Sequence, residues 1–150
     1  MRSFADVDAL CSAEGSDLGY GDWVVVSQDR FGSFKAAIHD LESSQVHPSR
    51  TASKAADGDL ARDYLMLSLM SRLCAGLIDL QEKRMTVNYG LNQVRFLAPT
   101  PVGARIRARA RLTSATRTRG GVQIVLDVEV EQERGRQPLC SAQTVRLFYV

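Results

Sequence analysis

Two neighbouring stretches in the C-terminal half alternate strictly between apolar and charged positions. In Ala104 to Leu112 the even positions are Ile106, Ala108, Ala110 and Leu112, and the odd ones are Arg105, Arg107, Arg109 and Arg111. In Val122 to Glu133 the even positions are Val122, Ile124, Leu126, Val128 and Val130, and the odd ones include Asp127, Glu129, Glu131 and Glu133. A period of two marks a strand with one face on a core and the other in water. The intervening turn, Ser114 to Gly121, ends in Gly120-Gly121, a hairpin signal. Setting Arg111 opposite Asp127 puts Arg109 opposite Glu129, Arg107 opposite Glu131 and Arg105 opposite Glu133, and it superimposes the two apolar faces. A slip of one residue would turn the charges onto the core, so the register is strongly specified. Four arginines on one face suggest a phosphate patch, but the acids that match them in register favour a solvated sheet face.

The remaining pattern predicts a short helix over Phe4 to Cys11, a loop through Gly15, Gly19 and Gly21, and a short strand over Trp23 to Val26. Ser27 is placed to cap a helix from Gln28 to about Ile38, with Asp29 near its positive end. Asp40 to Asp59 is polar and without period, a long loop of the kind that carries function in compact domains. From Leu60 to Leu80 the apolar positions circle the axis rather than striping it, which predicts one long helix buried on most sides. Strands are predicted over Thr86 to Leu97 and Leu139 to Tyr149, flanking the alternating pair. Short strand, helix, long loop, buried helix and four antiparallel strands make an α+β chain: a hot-dog arrangement, an antiparallel sheet wrapped around one central helix. Residues 1–150 are read as one domain of this kind. Its sheet edge and the open side of its helix need cover, so a homodimer or higher homo-oligomer is expected.

Composition narrows the functional classes. Apolar residues make up 45% of the chain, enough for a sizeable core. With 19 basic and 17 acidic residues the net charge is +2, which offers no electrostatic case for nucleic acid or a membrane surface. The three cysteines, Cys11, Cys74 and Cys140, are too scattered for a disulfide framework or a zinc site. Met1 to Leu10 lacks the apolar core of a signal peptide, and Tyr64 to Leu80 is interrupted by Arg72 and Asp79, so a cytoplasmic protein is expected. No metal cluster, phosphate loop or activated serine stands out, and no cofactor is expected.

One run is more specific than any periodicity. Val87-Asn88-Tyr89-Gly90-Leu91-Asn92-Gln93-Val94-Arg95-Phe96, followed by Ala98 to Gly103, closely resembles the NodN-like branch of the MaoC-like (R)-specific enoyl-CoA hydratases. Tyr64 to Leu69 resembles the start of that family's central helix, and Gly120 to Gln123 fits its turn. The likeness runs from about Ser27 to Tyr149. It implies syn hydration of a trans-2-enoyl thioester, or the reverse dehydration, on a CoA or acyl-carrier thioester. In the family an Asp and a His five residues apart activate one water, and a backbone N–H at the start of the central helix stabilises the thioester oxyanion. The chemistry needs two groups of different basicity facing one site, and a fixed positive field where enolate charge develops.

This chain departs from that pattern where the chemistry lies. Asp40 keeps the carboxylate position, but the family His is Gln45, which orients water and accepts no proton near neutral pH. His47, seven residues after Asp40, is a displaced partner if the loop carries a two-residue insertion. His39 is the other candidate, although neighbours in an extended segment point to opposite sides. The oxyanion glycine corresponds to Asp63, whose carboxylate would repel a developing anion and which also reads as a helix cap or first-turn acid. Ser71 matches a serine lining the thioester end of the family pocket, or bonds a helix carbonyl. Tyr64 and Tyr89 suit a pocket wall or a core equally. Two functions follow: a MaoC-like lyase repurposed for a dehydration or cyclisation step in a biosynthetic pathway, with Asp40, Gln45 and His47 catalytic and Asp63, Tyr64 and Ser71 binding substrate; or an inactive hot-dog subunit that binds acyl ligands or pairs with an active partner.

Overall fold

The computed structural model describes residues 2–38 and 56–150. Its spine is a six-stranded sheet in the order β2 (Asp17–Tyr20), β6 (Arg105–Thr118), β7 (Gly121–Gln132), β8 (Cys140–Tyr149), β5 (Met85–Phe96), with β3 (Val24–Val25) also on β6. Every pairing in it is antiparallel. Three helices accompany the sheet: α2 (Gln28–Ala37), α3 (Ala56–Ser68) and the short α4 (Met70–Leu73). A separate pair, β1 (Arg2–Phe4) and β4 (Ile78–Leu80), runs parallel, and α1 (Val7–Ser12) follows β1.

The alternating pair forms the centre of the sheet in the expected register: Arg111 faces Asp127, Arg109 faces Glu129 and Arg107 faces Glu131. Ile106, Ala108, Ala110, Leu112, Val122, Ile124, Leu126, Val128 and Val130 are all fully or almost fully buried on the inner face. β6 extends further than its charge pattern suggests. A bulge between Leu112 and Ser114 shifts the parity, so the next inward residue is Ala115, and the strand continues to Thr118.

The guanidinium partners differ from the register. Arg105 and Arg107 pair with Glu133 at 2.8 Å and Glu131 at 2.6 Å. Arg109 turns instead to Asp17 on β2, Arg111 donates to the Gly15 carbonyl at 2.9 Å, and Asp127 accepts from Gln143 at 2.8 Å. The cause is β2, a strand the sequence pattern did not show, which covers the other edge of β6. Tyr20 and Trp23 stack on Arg107 at 3.9 and 4.5 Å from its guanidinium carbon to the ring centres.

Two expectations for the first half are altered. The N-terminal helix begins at Val7 because Asp6 caps it, accepting from Ala9 N–H at 2.7 Å, and Phe4 belongs to β1. The long helix over Leu60 to Leu80 does not continue to its end. It breaks at Leu69, whose N–H is shared between the Leu65 and Met66 carbonyls, and stops at Leu73. Gly76 then turns the chain at φ 77°, and Ile78 to Leu80 pair with β1. A short apolar run suits a buried helix and a buried strand alike, so periodicity could not separate them. Ser27 caps α2 as expected, accepting from Arg30 N–H at 3.2 Å.

The helical unit is one-sided rather than enclosed. Ala61, Leu65, Met66, Met70, Leu73 and Cys74 join the core beneath the sheet, whereas Tyr64, Ser68, Ser71 and Arg72 are exposed. Gly21 seats the end of α4: a side chain there would bring its Cβ within 2.2 Å of the Leu73 carbonyl oxygen.

Candidate functional site

The open side of α3–α4 faces the β8–β5 edge of the sheet, and a cleft of about 280 Å³ lies between them. Leu67, Ser68, Met70 and Ser71 form its helical wall; Asn88, Tyr89, Gly90 and Leu91 come from β5, and Thr144, Val145 and Arg146 from β8. Asn88 donates to Ser71 Oγ across the mouth at 3.4 Å. Ser68, not Ser71, makes the helix-carbonyl bond, donating to Leu65 O at 2.7 Å. A larger cavity of about 360 Å³ lies on the outer face of the hairpin, lined by Gly15, Asp17, Arg109, Arg111, Asp127 and Glu129. Its cations already hold acceptors, so the smaller cleft is the better place for chemistry.

The floor of the cleft is unusual for an interior. Arg146 is 7% exposed and Thr144 6% exposed. Among the described residues, Arg146 Nε and Nη2 and Thr144 Oγ1 make no hydrogen bond. Arg146 lies beside Cys74 at the end of α4, where burial pushes the thiol above its ordinary range and the guanidinium opposes that shift. No sequence argument singled out Arg146. Its signal was the inward parity of β8, where Cys140, Ala142, Thr144, Arg146 and Phe148 all turn to the core.

The structure places three of the six candidate site residues. Ser71 lines the cleft. Tyr64 is 52% exposed, seven residues earlier on the neighbouring helix α3, its ring tilted against Phe96 at 6.2 Å. Asp63 is the eighth residue of α3, beyond the first four positions whose amides lie open at a helix start, so it is neither cap nor first-turn acid. Its carboxylate has an oxygen shielded from solvent and lies near Cys140. Burial first, and Asp63's charge second, push the Cys140 thiol up to about 11. Asp40, Gln45 and His47, with His39, lie outside the described residues. Among those described, no group of three or more His, Cys, Asp or Glu is placed to hold a metal, and no helix is long and apolar enough to cross a membrane.

An antiparallel sheet closed over one side of a helix, with a cleft at the helix's open side, defines a hot-dog fold. A MaoC-like dehydratase from Rhodospirillum rubrum shares that fold, with a TM-score of 0.66 over 92% of this chain and 94% of that one at 13% identity. In sequence, the chain is 34% identical to 3-hydroxyacyl-thioester dehydratase Z of Mycobacterium tuberculosis (strain ATCC 25618 / H37Rv) over 97% of each. It is 36% identical to nodulation protein N of Rhizobium leguminosarum bv. viciae over 97% of this chain and 91% of that one. The chain belongs to the MaoC-like hot-dog family. No protein-family model matches it.

Proposed function

We propose that the chain is a hydratase/dehydratase-type lyase acting on an acyl thioester of CoA or an acyl carrier. The observation that carries this reading is the identity of 34% over 97% of both chains with a protein named as a 3-hydroxyacyl-thioester dehydratase. The cleft beside α3–α4 is a fitting seat for an acyl chain, with Leu67, Met70, Leu91 and Val145 as apolar walls and Ser71 as a polar contact. In this reading Asp40 is the acid/base group, Gln45 or His47 positions water or substrate, and Asp63 and Tyr64 border the substrate. Elimination of water from a 3-hydroxyacyl thioester transfers a proton and releases a hydroxide equivalent with no net redox change, so it requires no cofactor. The altered loop suits a non-standard dehydration or a cyclisation.

A homodimer accompanies this reading. Among the described residues β5 pairs only with β8, and along it Tyr89 is 66%, Leu91 44% and Phe96 38% exposed, an edge and apolar surface that a second copy would cover. Gln45 at the family's His position favours a second function, an inactive subunit that binds acyl ligands or joins an active hot-dog partner.

The test is Asp40→Asn assayed on a panel of enoyl and 3-hydroxyacyl thioesters. Loss of an acid/base group lowers turnover by about 10²–10⁴-fold. Turnover equal to wild type removes Asp40 as the acid/base group; no turnover by wild type on any member removes the lyase and leaves the subunit reading. Native mass spectrometry then asks whether a distinct hot-dog partner is bound.

A further inference from the structure

A buried guanidinium is costly unless a counter-charge and hydrogen-bond acceptors meet it. Arg146 has an interior position and no counter-charge among the described residues: no ion pair there includes it, the Cys74 thiol is its one side-chain hydrogen-bond partner there, and its Nε and Nη2 are without acceptors. Cys74 beside it is held in the neutral thiol form by burial and supplies no charge. The same cleft holds a second idle polar group, the Thr144 hydroxyl, and its opposite wall carries the Ser71–Asn88 pair. The walls between are apolar. A planar cation with two free donors, a hydroxyl beside it and a greasy approach are what a carboxylate at the end of a carbon chain requires.

We propose that the cleft between α3–α4 and the β5–β8 edge is a carboxylate-binding subsite, in which Arg146 holds a second acid group carried by the acyl chain of the substrate. The thioester part of this inference rests on the lyase reading above; the carboxylate part rests on Arg146 alone. The substrate class is then an acyl thioester with its own carboxylate, not a plain fatty acyl thioester. The subsite discriminates by default, because a methyl terminus leaves the cation without a counter-charge.

The test measures binding by calorimetry, independently of turnover, on the full chain with adipyl-CoA, hexanoyl-CoA and free adipate. Wild type is expected to bind adipyl-CoA about tenfold or more tighter than hexanoyl-CoA, the value of a charge-assisted bidentate contact. Arg146→Met, of similar length and apolar, is expected to keep the fold and hexanoyl-CoA binding while losing the preference. Arg146→Lys keeps the charge without the planar fork and is expected to fall between them. Equal affinities in wild type, or a preference that survives Arg146→Met, overturn the subsite. A crystal structure with a carboxylate of the protein itself, from this chain or a second copy, on the guanidinium also overturns it. Adipate binding that depends on Arg146, with neither CoA thioester bound, upholds the carboxylate site and removes the thioester reading. Turnover of plain 3-hydroxyacyl thioesters without carboxylate preference does the reverse.

Discussion

The β6–β7 hairpin and the β5 edge belong to the same sheet and are built on opposite principles. In the hairpin each inward side chain is apolar and buried, and the outward arginines Arg105, Arg107, Arg109 and Arg111 are met by carboxylates, a backbone carbonyl or stacked aromatic rings. In β5 the order is looser. Two register shifts, between Asn88 and Gly90 and between Asn92 and Arg95, break the alternation, Gln93 takes φ 50°, and the large apolar side chains Tyr89, Leu91 and Phe96 are left exposed. One region is closed and self-satisfied; the other leaves apolar surface, a polar mouth and a buried cation with no counter-charge among the described residues. Folding energy is concentrated in the first and recognition in the second, because a surface already satisfied within its own chain has little to offer a ligand.

The largest expected effect separates the two regions directly. Ile124→Ala in the hairpin removes a fully buried side chain from the core and is expected to cost about 2–5 kcal/mol in chemical denaturation. Leu91→Ala on β5, already 44% exposed, is expected to stay within about 0.5 kcal/mol for the isolated chain. The same Leu91→Ala change is expected to weaken self-association, read by sedimentation at varied concentration. Similar losses of stability at both positions would erase the contrast.

A smaller effect is expected in alkali. The fold holds the Cys140 thiol neutral up to about 11, against an ordinary value of 9.0, and shifts Cys74 in the same direction. The unfolded chain ionises first, so stability is intact below pH 9 and falls as pH rises toward about 11. Cys140→Ala is expected to flatten that decline relative to wild type. Alkylation of the native protein at pH 8 is expected at Cys11, with Cys74 and Cys140 reacting only after unfolding.

The smallest effect lies on the hairpin's outer face. Arg109 first, and the Gly19 amide second, hold the Asp17 carboxyl below its ordinary 3.8. Its stabilisation is therefore present above pH 3.8 and lost as pH falls through the lowered folded value. Asp17 is exposed, so Asp17→Asn is expected to trim the acid limb of the stability profile only slightly, and less still in high salt.

Different kinds of signal carried different parts of this molecule. The alternation of Arg105 to Leu112 against Val122 to Glu133 determined the hairpin, its register and its buried face, because a period of two admits one pairing that hides every apolar residue. Ser27 as a cap and the run from Asn88 to Phe96 were equally local, and the family followed from the latter. The tertiary structure alone decided where the helix beyond Leu60 ends, since Gly76 and the β1 partner turn Ile78 to Leu80 into a strand. It alone sent Arg109 to Asp17 and placed Asp63 inside a helix rather than at its start. It alone set Arg146 at the floor of a cleft whose walls come from segments far apart in sequence. Local pattern specifies which face of an element is apolar; which neighbour covers that face, and which charge is left without one, depends on contacts between distant parts of the chain.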